Sequence, residues 1–276
     1  MIDPQDTMKT SDDLQLLREL RNDGKLIPFV GAGLSKRFGL PSWSDLIGTI
    51  ARELGYDPDV FNCNGTKEQL ASYYVTTKGS IGPLRSLMDQ AFNPGDAKIS
   101  NSRAHSALVK MNLQLIYTTN YDTIIERAFK LKKRGCYTVA NIDDIAAAPI
   151  GATRVVKFHG TFSDDESLVL TECSYFNRLE FESAIDIQLR ADTLGHSLLF
   201  IGYSLNDLNI RYLLFKLHKL RDKVKRSGTR MPSAFLATFG AGDIQRTLLS
   251  RWDVSTIELD PIHKDRSVDE FLEKLI

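Results

Sequence analysis

Hydrophobic and polar positions follow two rhythms along this chain. From Asp12 to Asn22 leucines recur near helical spacing (Leu14, Leu17, Leu20), behind the capping candidates Ser11 and Asp12 and ahead of the stop signal Gly24. This pattern predicts a helix there and leaves Met1–Thr10 as a flexible tail. The second rhythm is the short, unbroken apolar run. Leu26–Val30 ends abruptly in Gly31-Ala32-Gly33, which reads as a buried strand feeding a tight turn. Similar runs occur at Leu115–Thr119, Arg154–Phe158, Ser197–Tyr203, Ser233–Thr238 and Val254–Leu259. Helical sequence follows several of them, at Thr123–Lys132 and from Asn206 to about Lys225. Continuous apolar strands alternating with helices predict an α/β fold, a Rossmann-like parallel sheet covered by helices on both faces.

The first crossover departs from that scheme. Trp43–Lys110 carries helical patterning without a convincing strand and is far longer than a crossover requires. Residues 43–110 are therefore expected to form a small inserted helical subdomain within one domain spanning 1–276.

Composition narrows the functional classes. Apolar residues make up 42% and charged residues 25%, an ordinary globular balance for 276 residues. Lys+Arg and Asp+Glu both total 35, and without a basic excess direct nucleic-acid binding is not expected. The basic stretch Lys216–Arg230 reads mainly as a solvated helix end. No apolar run is long enough to cross a bilayer and no secretory signal opens the sequence, so no membrane partner is expected. Three scattered cysteines (Cys63, Cys136, Cys173) form no CxxC pair, which leaves no zinc ribbon and no metal site to expect. A sparse, odd set of thiols suits a reducing cytoplasmic location.

Four polar clusters close the predicted strands: Gly31–Ser35, Thr119–Asp122, His159-Gly160 and Gly202–Asp207. In open parallel sheets ligands bind outside the carboxyl ends of the strands, so the recurrence marks a candidate site. Gly31, Ala32, Gly33 and Ser35 could let backbone N–H groups approach a pyrophosphate, with help from the next helix terminus. They could equally make a plain tight turn. The G-x-G-x-x-G dehydrogenase pattern is broken, because Lys36 stands where the third glycine belongs. Thr119, Asn120 and Asp122 read either as helix caps or as site residues, and the same choice holds for Ser204, Asn206 and Asp207. His159 is either a satisfied strand-end histidine or a working one.

In order and spacing, Gly31-Ala-Gly-Leu-Ser35, Gly39-Leu-Pro41-Ser-Trp43, Thr119-Asn120-Tyr-Asp122, Lys157-Phe-His159-Gly160 and Gly202-Tyr-Ser204 resemble the SIR2 (sirtuin) signature. The chain is more closely similar to bacterial SIR2-like domains of antiphage defence systems such as Thoeris. Those domains favour Thr-Thr-Asn-Tyr-Asp and a Gly-aromatic-Ser-x-x-Asp-x-Asn run, matched here by Gly202–Asn209. The resemblance implies NAD⁺ as substrate, with no metal. It implies that Gly31, Ala32, Gly33 and Ser35 hold the phosphates, with Trp43, Thr119 and Gly202 also on the binding surface. By the same resemblance Asn120 places water or the ribose hydroxyls, and Asp122 contacts the nicotinamide side. His159 would be general base or ribose-orienting group, a base being available from a histidine near its ordinary pKa. Ser204 and Asp207 would touch the ribose-phosphate portion.

Departures from conventional sirtuins weaken an acyl-lysine channel: there is no Cys₄ zinc module, and Ser42-Trp43-Ser44 follows Pro41 where Asp-Phe-Arg is usual. The leading expectation is an NAD⁺ glycohydrolase acting in antiphage defence. It would be held in check by homo-oligomerisation or by a separately encoded regulatory or sensor protein. The alternatives are an NAD⁺-dependent protein deacylase or ADP-ribosyltransferase and, in another class, a non-catalytic module that senses NAD or ADP-ribose.

Overall fold

A computed structural model describes residues 4–203, 208–222 and 234–276. Its seven strands are β1 (Leu26–Val30), β2 (Leu115–Thr118), β3 (Tyr137–Val139), β4 (Arg154–Lys157), β5 (Ser197–Ile201), β6 (Ala234–Thr238) and β7 (Val254–Glu258). They form one sheet in the order β3-β4-β2-β1-β5-β6-β7, with every pairing parallel. β2, β3 and β4 lie on one side of β1 and β5, β6 and β7 on the other, so the topological switch point lies between β1 and β5. The predicted strands all appear. β3 is an addition that the pattern did not reveal: a three-residue edge strand, too short to show a period.

Side chains alternate across the sheet with the period of two that a strand imposes. Val30, Ile116, Val155, Leu199, Phe235 and Ile257 enter one buried cluster, and Phe29, Tyr117, Val156, Phe200 and Leu236 enter the other. All five residues of β1 are buried, which explains its unbroken apolar run. Pro28 is tolerated inside this central strand for a directional reason. Val30 O accepts from Thr119 N on the β2 side, and residues two apart point the same way. The missing N–H of Pro28 therefore faces β2 below the point where that ladder begins, at Phe29 opposite Tyr117.

Helix α1 (Pro4–Asn22) begins well before Asp12, so residues 4–10, expected as tail, lie within it. A proline costs nothing in a helix's first turn, and no breaker separates Pro4 from Asp12. Beyond β1 come α2 (Ala32–Ser35) and a 3₁₀ turn at Lys36–Phe38. They are followed by α3 (Trp43–Glu53), α4 (Pro58–Asn62), α5 (Lys67–Lys78), α6 (Gly82–Ala91), α7 (Asp96–Ser100) and α8 (Arg103–Lys110). The rest are α9 (Ile124–Leu131), α10 (Ile142–Ala147), α11 (Glu172–Glu180), α12 (Ala184–Gly195), α13 (Leu208–Asp222), α14 (Asp243–Ser250) and α15 (Lys264–Lys274). Leu17, Leu108, Phe129 and Leu272 bring α1, α8, α9 and α15 onto one face, and Leu189, Leu217 and Leu249 bring α12, α13 and α14 onto the other.

Residues 43–110 are helical where ordered into elements, but their packing divides them. Leu46, Ile50, Phe61, Leu70, Tyr74, Leu84 and Met88 of α3 to α6 form a third core, whereas Ile99, Ala104 and Leu108 belong to the main one. Among the described residues no helix is long and apolar enough to cross a membrane, and no cluster of His, Cys, Asp and Glu could hold a metal ion.

His105 is part of the main framework. Its Nδ1 lies 2.8 Å from Ser102 Oγ, its Nε2 is buried without a partner among the described residues, and its ring rests 5.2 Å from Phe38. Burial, helped by the charge of Arg37, pulls its pKa down to about 3. Between pH 3 and the ordinary value of 6.5 the unfolded chain therefore binds a proton that the native chain does not, and stability falls as pH falls. Urea unfolding from pH 7 to pH 4 is expected to show this loss, and His105→Gln should remove about 1.4 kcal/mol per pH unit of its slope. Parallel slopes in wild type and variant would assign the loss to other groups.

Candidate functional site

Four adjacent strands, β4, β2, β1 and β5, present their carboxyl ends side by side, and the four polar clusters emerge there. The two glycine-bearing turns touch first. Gly31 N donates to Ile201 O at 2.8 Å and Gly33 N donates to Gly202 O at 2.8 Å. A Cβ on Gly33 would lie 2.7 Å from Gly202 O, and one on Gly31 would lie 2.8 Å from both Gly202 O and the Tyr203 ring. Gly202 itself has φ +79°, a left-handed conformation that favours glycine. The absent side chains thus serve loop-to-loop contact, and two N–H groups expected to face a phosphate point into the fold. The helix behind the turn is also only four residues long, which leaves little macrodipole. Ala32 remains exposed at the tip.

Behind this turn lies a buried polar chain. Asn120 Nδ2 donates to Ser35 Oγ at 3.1 Å and to Gly31 O at 3.3 Å, and Ser35 Oγ donates to Asp122 Oδ2 at 3.0 Å. The Ser35 hydroxyl is therefore committed to Asn120 and Asp122. Thr118 Oγ1 accepts from Asn120 N at 3.0 Å, and Asp122 Oδ1 accepts from Ile124 N at 3.1 Å to cap α9. Asn120 Oδ1 is buried and has no hydrogen-bond partner among the described residues. Burial holds the Asp122 carboxyl above its ordinary range, against the opposing pull of Lys157, Ile124 N–H and Ser35.

Lys157, whose side chain is fully buried, closes β4. Its Nζ donates to Asp122 O and lies 3.2 Å from Glu126 Oε1 of α9. Two residues further on, the half-buried His159 sits among rings, with Tyr175 at 5.6 Å, Phe158 at 5.8 Å and Tyr121 at 6.4 Å. Burial, then the nearby Arg178 guanidinium, pull its pKa down to about 3. His159 is thus neutral at pH 7, a weaker base than a histidine at its ordinary value. Thr119 Oγ1 lies 2.9 Å from the hydroxyl of Tyr203, which donates to Val30 O at 3.0 Å.

A cavity of about 280 Å³ opens beside Asp122, between Asp89, Phe92 and Asn93 of the inserted region, Thr123 and Arg127, and Phe162. Tyr121 and Phe162 also pack onto the insert's core, so the insert forms one wall of the site. Trp43 is partly buried on that same core at the start of α3. A larger cleft of about 630 Å³ lies at the β3 side of the sheet, lined by Asn141, Asp164, Ser174 and Arg178 among others, and none of Asn120, Asp122 and His159 lines it. Ser204 and Asp207 lie outside the described residues. Tyr203 and Lys157 stood inside the quoted motifs but were given no role from sequence, although a buried-strand lysine directly after Val155 and Val156 was a visible irregularity.

The SIR2-like domain family model matches residues 114–257, from the approach to β2 into β7. The chain is 26% identical over 263 residues to "NAD(+) hydrolase ThsA" of Bacillus cereus (strain MSX-D12), covering 90% of this chain and 53% of that protein. It is 30% identical over 215 residues to "Defense-associated sirtuin 2" of Bacillus subtilis, covering 74% of this chain and 20% of that one. It is 31% identical over 194 residues to "NAD(+) hydrolase ThsA" of Enterococcus faecium, covering 69% of this chain and 39% of that one. The chain thus spans about half, or less, of the length of these relatives.

The contact between the two turns is directly testable. Gly33→Ala should cost about 1–3 kcal/mol by forcing backbone against backbone, read as a lower urea midpoint. Ala32→Ser, on the exposed tip, should stay within about 0.5 kcal/mol of wild type. Equal midpoints for both variants would mean that the turns are not locked together.

Proposed function

The chain belongs to the SIR2-like domain family, and we propose that it is an NAD⁺ glycohydrolase that releases nicotinamide and leaves ADP-ribose. The observation that carries this reading is the Asn120 carboxamide. Its N–H₂ group is anchored to Gly31 O and Ser35 Oγ, while Oδ1 is buried with no partner among the described residues. A buried acceptor left unpaired is costly, so a hydrogen-bond donor, either water or a ribose hydroxyl, completes it.

Cleavage of this N-glycosidic bond releases nicotinamide as a neutral molecule, so no acid is required to protonate the leaving group. The protein has to place the water, exclude bulk solvent and stabilise an oxocarbenium-like transition state. Asn120 would orient the attacking water or the ribose. Asp122, at the mouth of the 280 Å³ cavity, would meet the nicotinamide side. His159, held neutral with a pKa of about 3, fits a hydrogen-bonding and orienting role better than that of a base. The turn Gly31–Ser35 and Gly202, with Thr119, would form the surface beneath the diphosphate and ribose. Trp43, Ser204 and Asp207 are carried as binding residues on the family resemblance alone.

The relatives' names, an NAD(+) hydrolase and a defense-associated sirtuin, support NAD⁺ hydrolysis in a defence setting, and with the family resemblance the setting would be antiphage defence by NAD⁺ depletion. Such an activity would act in the cytoplasm, where NAD⁺ is available, and would need restraint. Self-assembly or a separately encoded partner would supply it.

Purified protein incubated with NAD⁺ at high protein concentration should release nicotinamide, measured by chromatography. Asn120→Ala should lower the rate by about a hundredfold or more. Release by this variant at the wild-type rate would place the chemistry elsewhere. NAD⁺ binding without release, at every protein concentration, would favour a sensing module. Because His159 is neutral above about pH 3, the wild-type rate should show no histidine limb near pH 6.5. A limb there that disappears in His159→Gln would instead make His159 a titrating base.

A further inference from the structure

The lysine beneath the site is placed where a surface-anchored cation could not be. Its side chain is fully buried, and its ammonium group reaches two elements at once: the carbonyl of Asp122, near the end of the β2–α9 turn, and the carboxylate of Glu126, in the first turn of α9. The same lysine lies in β4, two residues before His159. It therefore ties the strand that carries His159 to the turn that carries Asn120 and Asp122. Burying an ammonium group is costly unless it is paired and hydrogen-bonded, and a core filled by apolar side chains would pack the sheet without it. The sequence shows the anomaly plainly, because Lys157 directly follows Val155 and Val156, which are both buried, one on each face of the sheet.

We propose that Lys157 is a positioning residue of the site, with Glu126 as its counter-charge, holding the Asn120–Asp122 turn in register with His159. The inference rests on the hydrolase reading for its kinetic consequence but not for its electrostatic one. Lys157 stands beside Asp122 as a cation, and Glu126 stands beside the pair as an anion. The other groups facing Asp122 are the neutral hydroxyl of Ser35 from α2 and, around the neighbouring cavity, Asp89 of α6 and Arg127 of α9. Arg127 is engaged with Asp96, Asn93 and the Pro94 carbonyl, so its charge is spent on another contact. Lys157 lowers the proton affinity of Asp122 and Glu126 raises it, and the two influences can be separated by substitution.

Three variants of the full chain decide the matter: Lys157→Met, Glu126→Gln, and both together. The single lysine variant leaves Glu126 as an uncompensated buried charge and is destabilised, whereas the double variant removes both charges and keeps both side chains close to their original size. Carbon-13 NMR of the labelled aspartate carboxyls follows Asp122, assigned with Asp122→Asn, and needs no activity. The expected result is an upward move of the Asp122 midpoint in the double variant, since Lys157 is the stronger influence, and a downward move in Glu126→Gln. Nicotinamide release by the folded double variant should fall in kcat by on the order of tenfold to a hundredfold, with KM changed less, as expected when reacting groups are misplaced. A group that serves only as packing would move neither the titration nor the ratio of kcat to KM. An unmoved Asp122 midpoint together with kcat within twofold of wild type overturns the proposal. Absence of nicotinamide release from the wild type would count against the hydrolase reading alone, and the Asp122 titration would still decide whether Lys157 acts on the turn.

Discussion

The contact between two glycine turns at the centre of the sheet is the constraint on which the rest of the site depends. The Gly33 N–H bonds to Gly202 O, and neither turn has room for a Cβ at the contact. Because β1 and β5 flank the switch point, the contact closes the crevice floor and fixes where Ser35 falls. Ser35 then meets Asp122 and Asn120, residues that arrive from a different strand. A side chain at either glycine would lift that hydroxyl away from both partners.

Desolvation governs the electrostatics of the site that results. The same burial raises the proton affinity of Asp122 and lowers that of His159, because in each case the charged form is the one penalised. Neighbouring charges then modify each group: Lys157 favours the Asp122 carboxylate, and Arg178 opposes an imidazolium at His159. Arg178 is itself held against Asp186 at 3.1 Å and over the Phe158 ring at 4.8 Å, so this influence is fixed in place. The candidate site is thus prepared with a neutral imidazole, a buried carboxyl group and a carboxamide oxygen that has no partner among the described residues. That combination suits orientation and exclusion of water better than proton transfer.

The helical insert is continuous with this arrangement. Tyr121, between Asn120 and Asp122, and Phe162, just after His159, both pack on the insert's core, and their rings stack at 5.8 Å. The Tyr121 hydroxyl donates to Val169 O at 2.6 Å, which joins the turn to the segment after β4. The insert therefore supplies a wall and a steric reference for both catalytic candidates. Only its first four helices do this, because Ile99, Ala104 and Leu108 pack into the main core.

The sequence by itself determined the architecture and pointed to the address of the candidate site. Short apolar runs bounded by turn signals read as strands buried on both faces, and polar clusters ending them mark one edge of a parallel sheet. Both are local properties, legible residue by residue at Leu26–Val30 or Ser197–Ile201. Among the described residues, the short edge strand Tyr137–Val139, the early start of the first helix at Pro4 and the helices Ile142–Ala147, Glu172–Glu180 and Ala184–Gly195 escaped that reading; three residues show no period, and the first turns of α1 carry no apolar stripe. What the tertiary structure decided is how the clusters use their atoms. Ser35 and Asp122 are 87 positions apart, and no pattern along the chain states that one hydroxyl is committed to the other. The inward-facing N–H groups of Gly31 and Gly33, the neutral state of His159 and the tie from Lys157 to Asp122 are equally non-local. Hydrogen-bond partners and proton affinities depend on burial and on what lies across the fold, and those exist only once the sheet has brought its strand ends together.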